Sequence, residues 1–343
     1  MKPLPMTLDG VTRSDILAPG DAASPESSED EGGYRLERRF DRSARLFSEG
    51  GMARLSGAHV LVVGVGGVGS FAAEALARSG VGALTLVDFD TVCITNTNRQ
   101  LHAMRGTIGR MKVDVMAERL RLIHPTAKIR PLQEIYGRAS SEAILSENYD
   151  YVIDAIDAIS AKIHLIATCI ERKIPLVSVM GAAARMDPTL VRVADLMETY
   201  NDPLAAMVRK RLRQEYGLTR EKGELAGVPT VFSVEPPTAP SVPSYDHGSG
   251  FRCVCPGGKE GRADCDHRQR IDGTASFVTG TFGLTAASIV VRKLIDEEFC
   301  AAERMTGSTI RSEKDAQAKE RRLSRALDSS SADTTGAQES ASP

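Results

Sequence analysis

The sequence has no tryptophan, and aromatic residues make up only 5% of its 343 residues. This composition argues against a stacking platform for single-stranded bases. Positive charge is not in excess either, because the net charge at neutral pH is −2. The molecule as a whole therefore does not attract nucleic acid, and any such contact requires a local basic patch.

A secretory signal is also missing, since the first residues contain no apolar run of signal-peptide length. Acidic residues around Arg13 argue against a transit peptide but leave mitochondrial association open. We therefore expect a cytoplasmic protein with reduced cysteines. The uncharged stretch at residues 275–291 is short for a membrane span and rich in Thr, Ser and Gly, so it predicts a buried core helix and no membrane span.

The six cysteines do not form the two C-x-x-C pairs that are typical of a structural zinc site. Cys253 and Cys255 form a C-x-C instead, with His247 upstream and Cys265 and His267 downstream. Zinc binding by this group remains the weaker interpretation. Cys265 lies in a polar loop before an apolar stretch, where it is a candidate catalytic thiol or else an unreactive surface cysteine.

Composition divides the chain into three parts. Residues 1–33 are rich in Pro, Ser, Gly and acids, and residues 300–343 show little apolar periodicity, so both ends are predicted to be largely disordered. Residues 34–299 can form a single domain. Within them, residues 236–270 are rich in Pro, Ser and Gly and predict a flexible loop.

The most informative stretch is residues 59–90, which read as strand, glycine turn, helix, strand and acid. The turn contains Gly64, Gly66, Gly67 and Gly69. Glycines let the backbone approach a phosphate closely, and the following helix presents its amino end to the same phosphate. Asp88 and Asp90 follow about 20 residues later, the spacing at which an acid meets ribose hydroxyls. The motif fits NAD as well as ATP, and a glycine turn without ligand is the less favoured alternative.

Polar residues follow the next predicted strands at their carboxyl ends, where α/β sheets bind ligands. Asn96 and Arg99 lie in one such loop, and Asp154 and Asp157, suited to a hydrated Mg²⁺, lie at another. Lys112 falls in the first turn of a predicted helix, where a cation interacts unfavourably with the helix dipole. A bound phosphate offsetting that cost is the favoured explanation, and an exposed solubilising lysine is the alternative.

A later predicted helix, residues 203–216, contains the densest basic cluster of the ordered part. Its members are Arg209, Lys210, Arg211 and Arg213. The cluster predicts either a contact with the RNA phosphate backbone or a solvated helix face, and the sequence favours neither.

Together these motifs resemble the adenylating domain of the ubiquitin-activating enzyme superfamily over about residues 39–295. Within it the chain is similar to the tRNA threonylcarbamoyladenosine dehydratases, as shown by residues 39–42, 95–100, 151–157, 202–206 and 279–283. The resemblance implies a Rossmann-like α/β adenylating domain over residues 34–299. It implies a mostly parallel central sheet, extended by a C-terminal α/β part.

The resemblance also implies a site. ATP lies on the glycine loop with its ribose on Asp88, and Asp157 holds Mg²⁺. Arg99, Lys112 and, in a homodimer, Arg42 of the partner subunit surround the phosphates. The substrate is tRNA carrying threonylcarbamoyladenosine, whose carboxylate is adenylated. The neighbouring ureido group then expels AMP, so that one water is lost.

Other functions remain open at this point. The first alternative is an activator of a ubiquitin-like or sulfur-carrier protein, and the superfamily also admits a sulfur-relay or cysteine-desulfurase partner. A second is a nucleotide-binding regulator without catalysis. A third is an NAD-dependent oxidoreductase, but this leaves Arg99, Lys112 and Asp157 without a role.

Overall fold

The structure is a computed structural model, and it describes residues 35–218, 226–241 and 272–295. The strands are β1 (His59–Val63), β2 (Ala83–Val87), β3 (Lys128–Leu132), β4 (Tyr151–Asp154), β5 (Leu176–Val179), β6 (Val191–Asp195) and β7 (Pro229–Ser233). The helices are α1 (Asp41–Gly57), α2 (Gly69–Arg78), α3 (Lys112–Ile123), α4 (Ser141–Ile144), α5 (Ile159–Arg172), α6 (Pro203–Tyr216) and α7 (Ser276–Ile295).

Several predictions concern residues outside these ranges. They include the terminal extensions 1–33 and 300–343 and most of the loop 236–270. The possible zinc ligands His247, Cys253, Cys255, Cys265 and His267 also lie outside the described residues. The catalytic role of Cys265 therefore stays a prediction.

In the described part of the chain, seven strands form one sheet in the order β3-β2-β1-β4-β5-β7-β6. All pairs are parallel except β6 with β7. From β1 the chain moves outwards through β2 and β3, then returns to β4 on the other side of β1. The strand order therefore reverses between β1 and β4, and α/β sheets bind ligands at the carboxyl ends of such strands. The predicted Rossmann-like α/β fold, with its mostly parallel sheet, is confirmed.

Helices cover both faces of the sheet, because strands of a parallel sheet are apolar on both sides. One face is packed by Leu76 of α2, Met116 of α3 and Phe282 of α7. The other is packed by Ile166 of α5 and Leu212 of α6. Burial of each such side chain contributes roughly 1.5–3 kcal/mol. The two cores hold the strand ends, and with them the polar loops, in fixed positions.

Helix α7 has the length and composition of a membrane-spanning helix. It nevertheless packs on α2 and on the strands β5 and β7. Val278, Phe282 and Ile289 are fully buried in this contact. The core helix predicted from the uncharged sequence is therefore confirmed.

Two helices differ in detail from their predictions. The helix predicted over residues 140–147 is reduced to Ser141–Ile144. The Ser146 hydroxyl donates to the carbonyl of Ala143 at 2.8 Å, and such a side-chain bond competes with the next helical turn. The two short helices predicted near residues 41 and 51 are merged in α1, which is kinked at Ser48, where φ is 64°.

Candidate active site

The glycine turn after β1 lies at the point where the strand order reverses. Gly64 has a φ of +90°, and a Cβ on it would lie 2.7 Å from the carbonyl oxygen of Ala155, which follows β4. A Cβ on Gly69 would lie only 1.8 Å from the carbonyl oxygen of Gly64. These two glycines are therefore required by the close approach of β1, β4 and α2, whatever the turn binds.

Gly66 and Gly67 have a different environment. A Cβ on Gly66 would have only Gln100 Nε2 nearby, at 3.8 Å, and one on Gly67 would lie 3.3 Å from Arg99 Cγ. A side chain here would fill the space beside the amino end of α2 and above Arg99. This cradle is suited to a phosphate group, because backbone N–H groups and a positive dipole end meet there.

Asp88 follows β2 and supports the glycine turn. Its carboxylate accepts the N–H of Val65 at 2.7 Å and that of Asp90 at 2.9 Å. Burial raises the pKa of Asp88, while the positive charge of Lys112 acts in the opposite direction. Each oxygen keeps a further lone pair, so the carboxylate can also accept a ribose hydroxyl.

Asp90 and Lys112 form an ion pair with 2.7 Å between Oδ2 and Nζ. The lysine is 6% exposed, and its backbone N–H donates to the carbonyl of Asp90. The carboxylate of Asp90 therefore already offsets the unfavourable position of Lys112 at the amino end of α3. The helix position of Lys112 therefore does not by itself require a bound phosphate, and its contact with a phosphate stays a prediction.

Asn96 and Arg99 lie in the loop that faces the glycine turn. Asn96 Oδ1 accepts the N–H of Cys93 at 3.0 Å and so fixes a short 3-10 turn. The Arg99 guanidinium donates to the carbonyl of Thr95 and to Asn98 Oδ1, each at 2.9 Å. The loop thus holds Arg99 against Gly67, next to the phosphate cradle.

The two acids at the end of β4 have separate roles, contrary to the prediction that both suit Mg²⁺. Asp154 is fully buried, and Lys162 Nζ and Ser178 Oγ bind its Oδ2 at 2.7 and 2.6 Å. Its Oδ1 accepts the N–H of Ile156 at 3.1 Å, and because the side chain is fully enclosed it offers no accessible atom to a metal at the edge of the sheet. Asp157 is exposed and makes no hydrogen bond or ion pair within the described ranges.

A single free carboxylate next to a phosphate cradle fits Mg²⁺, which typically binds one or two carboxylates, substrate phosphates and water. The described part of the chain has no cluster of three or more His, Cys, Asp or Glu residues that could hold a metal without a substrate. Asp157 is therefore the residue that would hold Mg²⁺ once a nucleotide is bound.

The sequence analysis missed Lys162, which is 0% exposed despite its charge. One feature of the sequence does indicate that this lysine is buried. Lys162 lies on the apolar side of α5, three and four positions before Leu165 and Ile166, and a lysine at such a position needs a buried partner. The partners Asp154 and Ser178 come from two strands and could not be found by spacing.

Arg42 lies far from the glycine turn of its own chain. Arg39 donates to the carbonyl of Ile123, and Phe40 stacks edge-on against His124 with ring centroids 4.8 Å apart. Both contacts are at the carboxyl end of α3, next to the start of β3. This is the amino-terminal edge of the parallel sheet, about 16 Å, or one five-residue strand, from the nucleotide edge.

The basic cluster of α6 is only partly free. Arg209 donates to Thr199 Oγ1, and Arg211 pairs with Glu215 at 2.6 Å and donates to Ser160 Oγ at 3.1 Å. Lys210 and Arg213 are exposed. Of the four members of the predicted cluster, two are thus held by neighbouring side chains and two face solvent, and a contact with RNA stays a prediction.

The site combines a glycine cradle, an acid for a ribose, two cations and one free carboxylate at the carboxyl ends of β1, β2 and β4. A model of the ThiF family matches residues 40–326, most of the chain. The chain belongs to the ThiF family. The family and the fold therefore agree with the resemblance inferred from the sequence, and the roles of the individual site residues stay predictions.

Individual relatives are more specific. The tRNA threonylcarbamoyladenosine dehydratase of Escherichia coli strain K12 is 43% identical over 260 residues, 75% of this chain and 94% of that protein. A crystal structure of the E. coli enzyme in complex with ATP has a TM-score of 0.64 at 42% identity, covering 75% of this chain and 93% of the other. The E. coli molybdopterin-synthase adenylyltransferase is 39% identical over 151 residues, only 43% of this chain and 59% of that protein.

Proposed function

We propose that this ThiF-family protein is an ATP-dependent tRNA threonylcarbamoyladenosine dehydratase. It converts threonylcarbamoyladenosine beside the anticodon to its cyclic form through a carboxyl adenylate. The observation that carries the proposal is the 43% identity that extends over 94% of the E. coli dehydratase. The ATP-bound structure of that relative and the phosphate cradle described above support ATP as the nucleotide.

Different residues of the chain bind the phosphates, orient the ribose and stabilise the developing charge. Gly66, Gly67 and the amino end of α2 hold the phosphates, and Asp88 orients the ribose. Arg99 and Lys112 place positive charge where negative charge develops on the α-phosphorus, which is the main source of stabilisation in such reactions. Asp157 would hold a Mg²⁺, which would further neutralise the phosphate charge.

The reaction then needs little more than positioning. The carboxylate of the modified nucleoside attacks the α-phosphorus, and pyrophosphate leaves. The neighbouring ureido group attacks the activated carbonyl carbon, and AMP leaves with the oxygen that the substrate loses. Because the second nucleophile is already attached to the substrate, proximity supplies much of this step.

A homodimer completes the site in this proposal. Arg42 is exposed and anchored by Arg39 and Phe40 at the edge of the sheet opposite the glycine turn. It cannot reach the phosphates of its own chain from there. A second copy that brings its own Arg42 to the nucleotide edge gives this arginine a role.

The alternative is an activator of a ubiquitin-like or sulfur-carrier protein, supported by the shorter similarity to the molybdopterin-synthase adenylyltransferase. Pyrophosphate release separates the two functions. We expect release that requires ATP, Mg²⁺ and tRNA bearing threonylcarbamoyladenosine, with unmodified tRNA as the control. Pyrophosphate release that does not depend on the modified tRNA but is triggered by a protein ending in Gly-Gly would support the alternative.

We also propose a cytoplasmic location, which fits the bacterial dehydratases among the relatives. These relatives give no support to mitochondrial association.

A further inference from the structure

Lys162 of α5 is a fully buried charged residue that the proposed chemistry does not use. Lys162 Nζ donates to Asp154 Oδ2 at 2.7 Å and to the carbonyl oxygen of Val179 at 2.9 Å. Ser178 Oγ donates to the same carboxylate oxygen at 2.6 Å. Lys162, Asp154 and Ser178 are all 0% exposed. We call these three residues the buried network.

The buried network lies directly behind the loop that carries Asp157. The second oxygen of Asp154 accepts the N–H of Ile156 at 3.1 Å, so the carboxylate fixes the backbone one residue before Asp157. Lys162 holds the Asp154 carboxylate, and this carboxylate in turn holds the loop of residues 155–157. A change in the network therefore reaches the loop without any contact with a bound nucleotide.

The same loop forms one wall of the glycine turn. The N–H of Ala155 donates to the carbonyl of Val63 at 2.9 Å, and its own carbonyl oxygen is the atom that excludes a Cβ from Gly64. A shift of this loop would move both the carboxylate of Asp157 and the edge of the phosphate cradle. The network thus lies behind both halves of the nucleotide site.

Stability alone does not explain a charge at this place. The neighbours of Lys162 on α5 are the apolar core residues Ile163, Leu165 and Ile166. Desolvation offsets much of the attraction in a buried ion pair, and well-packed apolar residues in its place are often as stable. A buried ion pair with well-defined hydrogen bonds does, however, fix the geometry of the backbone that it contacts.

We propose that Lys162 is a positioning residue for nucleotide activation, which acts through Asp154 to hold Asp157 and the glycine turn in register. The inference rests on the proposed function, because Asp157 is taken as the residue that holds Mg²⁺. Lys162 itself touches neither nucleotide nor substrate. Its loss should therefore weaken ATP binding more strongly with Mg²⁺ than without it.

Two single variants and their combination test the inference on the full-length protein. Lys162→Met and Asp154→Asn each leave one buried charge of the pair without its counterion, and both variants should unfold at lower urea concentration. The double variant removes both charges and should recover much of that loss. If positioning matters, the double variant should still bind ATP with Mg²⁺ at least tenfold more weakly than wild type, and its loss of affinity without Mg²⁺ should be clearly smaller.

A matched control comes from the same helix. Leu165→Ala creates a cavity at a fully buried position of α5 and should also lower the urea midpoint. It should leave the Mg²⁺ dependence of ATP binding intact, because Leu165 makes no polar contact with the loop. Ser178→Ala keeps the ion pair and should give a smaller loss, about twofold to threefold, which keeps the test available if the double variant does not fold.

Calorimetry with ATP, with and without Mg²⁺, decides between the outcomes. A double variant, or Ser178→Ala, that binds Mg²⁺ and ATP like wild type would make the network purely structural and overturn the inference. An equal loss in Leu165→Ala would overturn it too, since general destabilisation would then explain the effect. A wild-type protein that binds no ATP would instead contradict the proposed function itself.

Discussion

The contact with tRNA offers a prediction whose size follows from the structure. Of the four basic residues of α6, only Lys210 and Arg213 are exposed without a hydrogen bond or ion pair in the described ranges. Arg209 and Arg211 are held by Thr199, Glu215 and Ser160, as described above. If the helix binds the phosphate backbone, Lys210 and Arg213 should supply most of the counterion release.

Each phosphate neutralised contributes about 0.7 to 0.9 to the slope of log affinity against log salt. Lys210→Ala with Arg213→Ala should therefore reduce the magnitude of that slope by roughly 1.4 to 1.8. Raising the salt concentration from 50 to 200 mM should therefore weaken tRNA binding by the double variant about tenfold less than it weakens binding by the wild-type protein. Affinity for ATP should not change, because neither side chain is part of the glycine turn or its loops.

Filter binding or fluorescence anisotropy with labelled tRNA across a salt series measures the slope. Lys128→Ala with Lys173→Asn is the matched control, since both lysines are exposed and lie at the amino-terminal edge of the sheet. Lys173 has a φ of 56°, and Asn is chosen to replace it because Asn tolerates this left-handed conformation. A slope unchanged by the α6 pair, or changed equally by the control pair, would refute this reasoning and return α6 to a solvated face.

Three further predictions concern the site. Asp157→Ala should abolish pyrophosphate release but change the free energy of unfolding by less than about 0.5 kcal/mol, because an exposed, unpartnered acid adds little stability; a large loss of stability would contradict its assignment. Mixing Arg42→Ala protein with Lys112→Ala protein should restore part of the activity through mixed dimers, and no restoration after proven subunit exchange would count against a shared site. Gly69→Ala should destabilise the fold by at least 1–3 kcal/mol in urea unfolding, since its Cβ would lie 1.8 Å from the Gly64 carbonyl oxygen; a near-neutral effect would show that the turn can relax.

Much of the fold could be predicted because its signals are local. The apolar runs that became β1, β2 and β4 are continuous in sequence, and the glycine turn between β1 and α2 has a fixed spacing. The polar residues that follow each strand then had to meet, because parallel strands share one carboxyl edge. Asp88, Arg99, Lys112 and Asp157 accordingly lie around the glycine turn.

The errors arose where a partner is distant in sequence. Asp154 was grouped with Asp157 because both follow the same strand, but Lys162 and Ser178, eight and 24 residues further on, occupy its oxygen. The position of Lys112 at a helix start suggests a phosphate, but Asp90, 22 residues earlier, is its counterion, so the position alone does not require one. Pairings of this kind are set by the tertiary fold, so they could not be predicted from the spacing of residues in the sequence.

In our proposal this ThiF-family protein removes water from threonylcarbamoyladenosine in tRNA, a claim that the product nucleoside tests most directly. tRNA bearing the modification is incubated with the full-length protein, ATP and Mg²⁺, digested to nucleosides and analysed by mass spectrometry, with Asp157→Ala as the control. We predict a nucleoside lighter by one water with the wild-type protein and an unchanged nucleoside with the control. An unchanged nucleoside with wild-type protein that binds both ATP and the modified tRNA would contradict the claim.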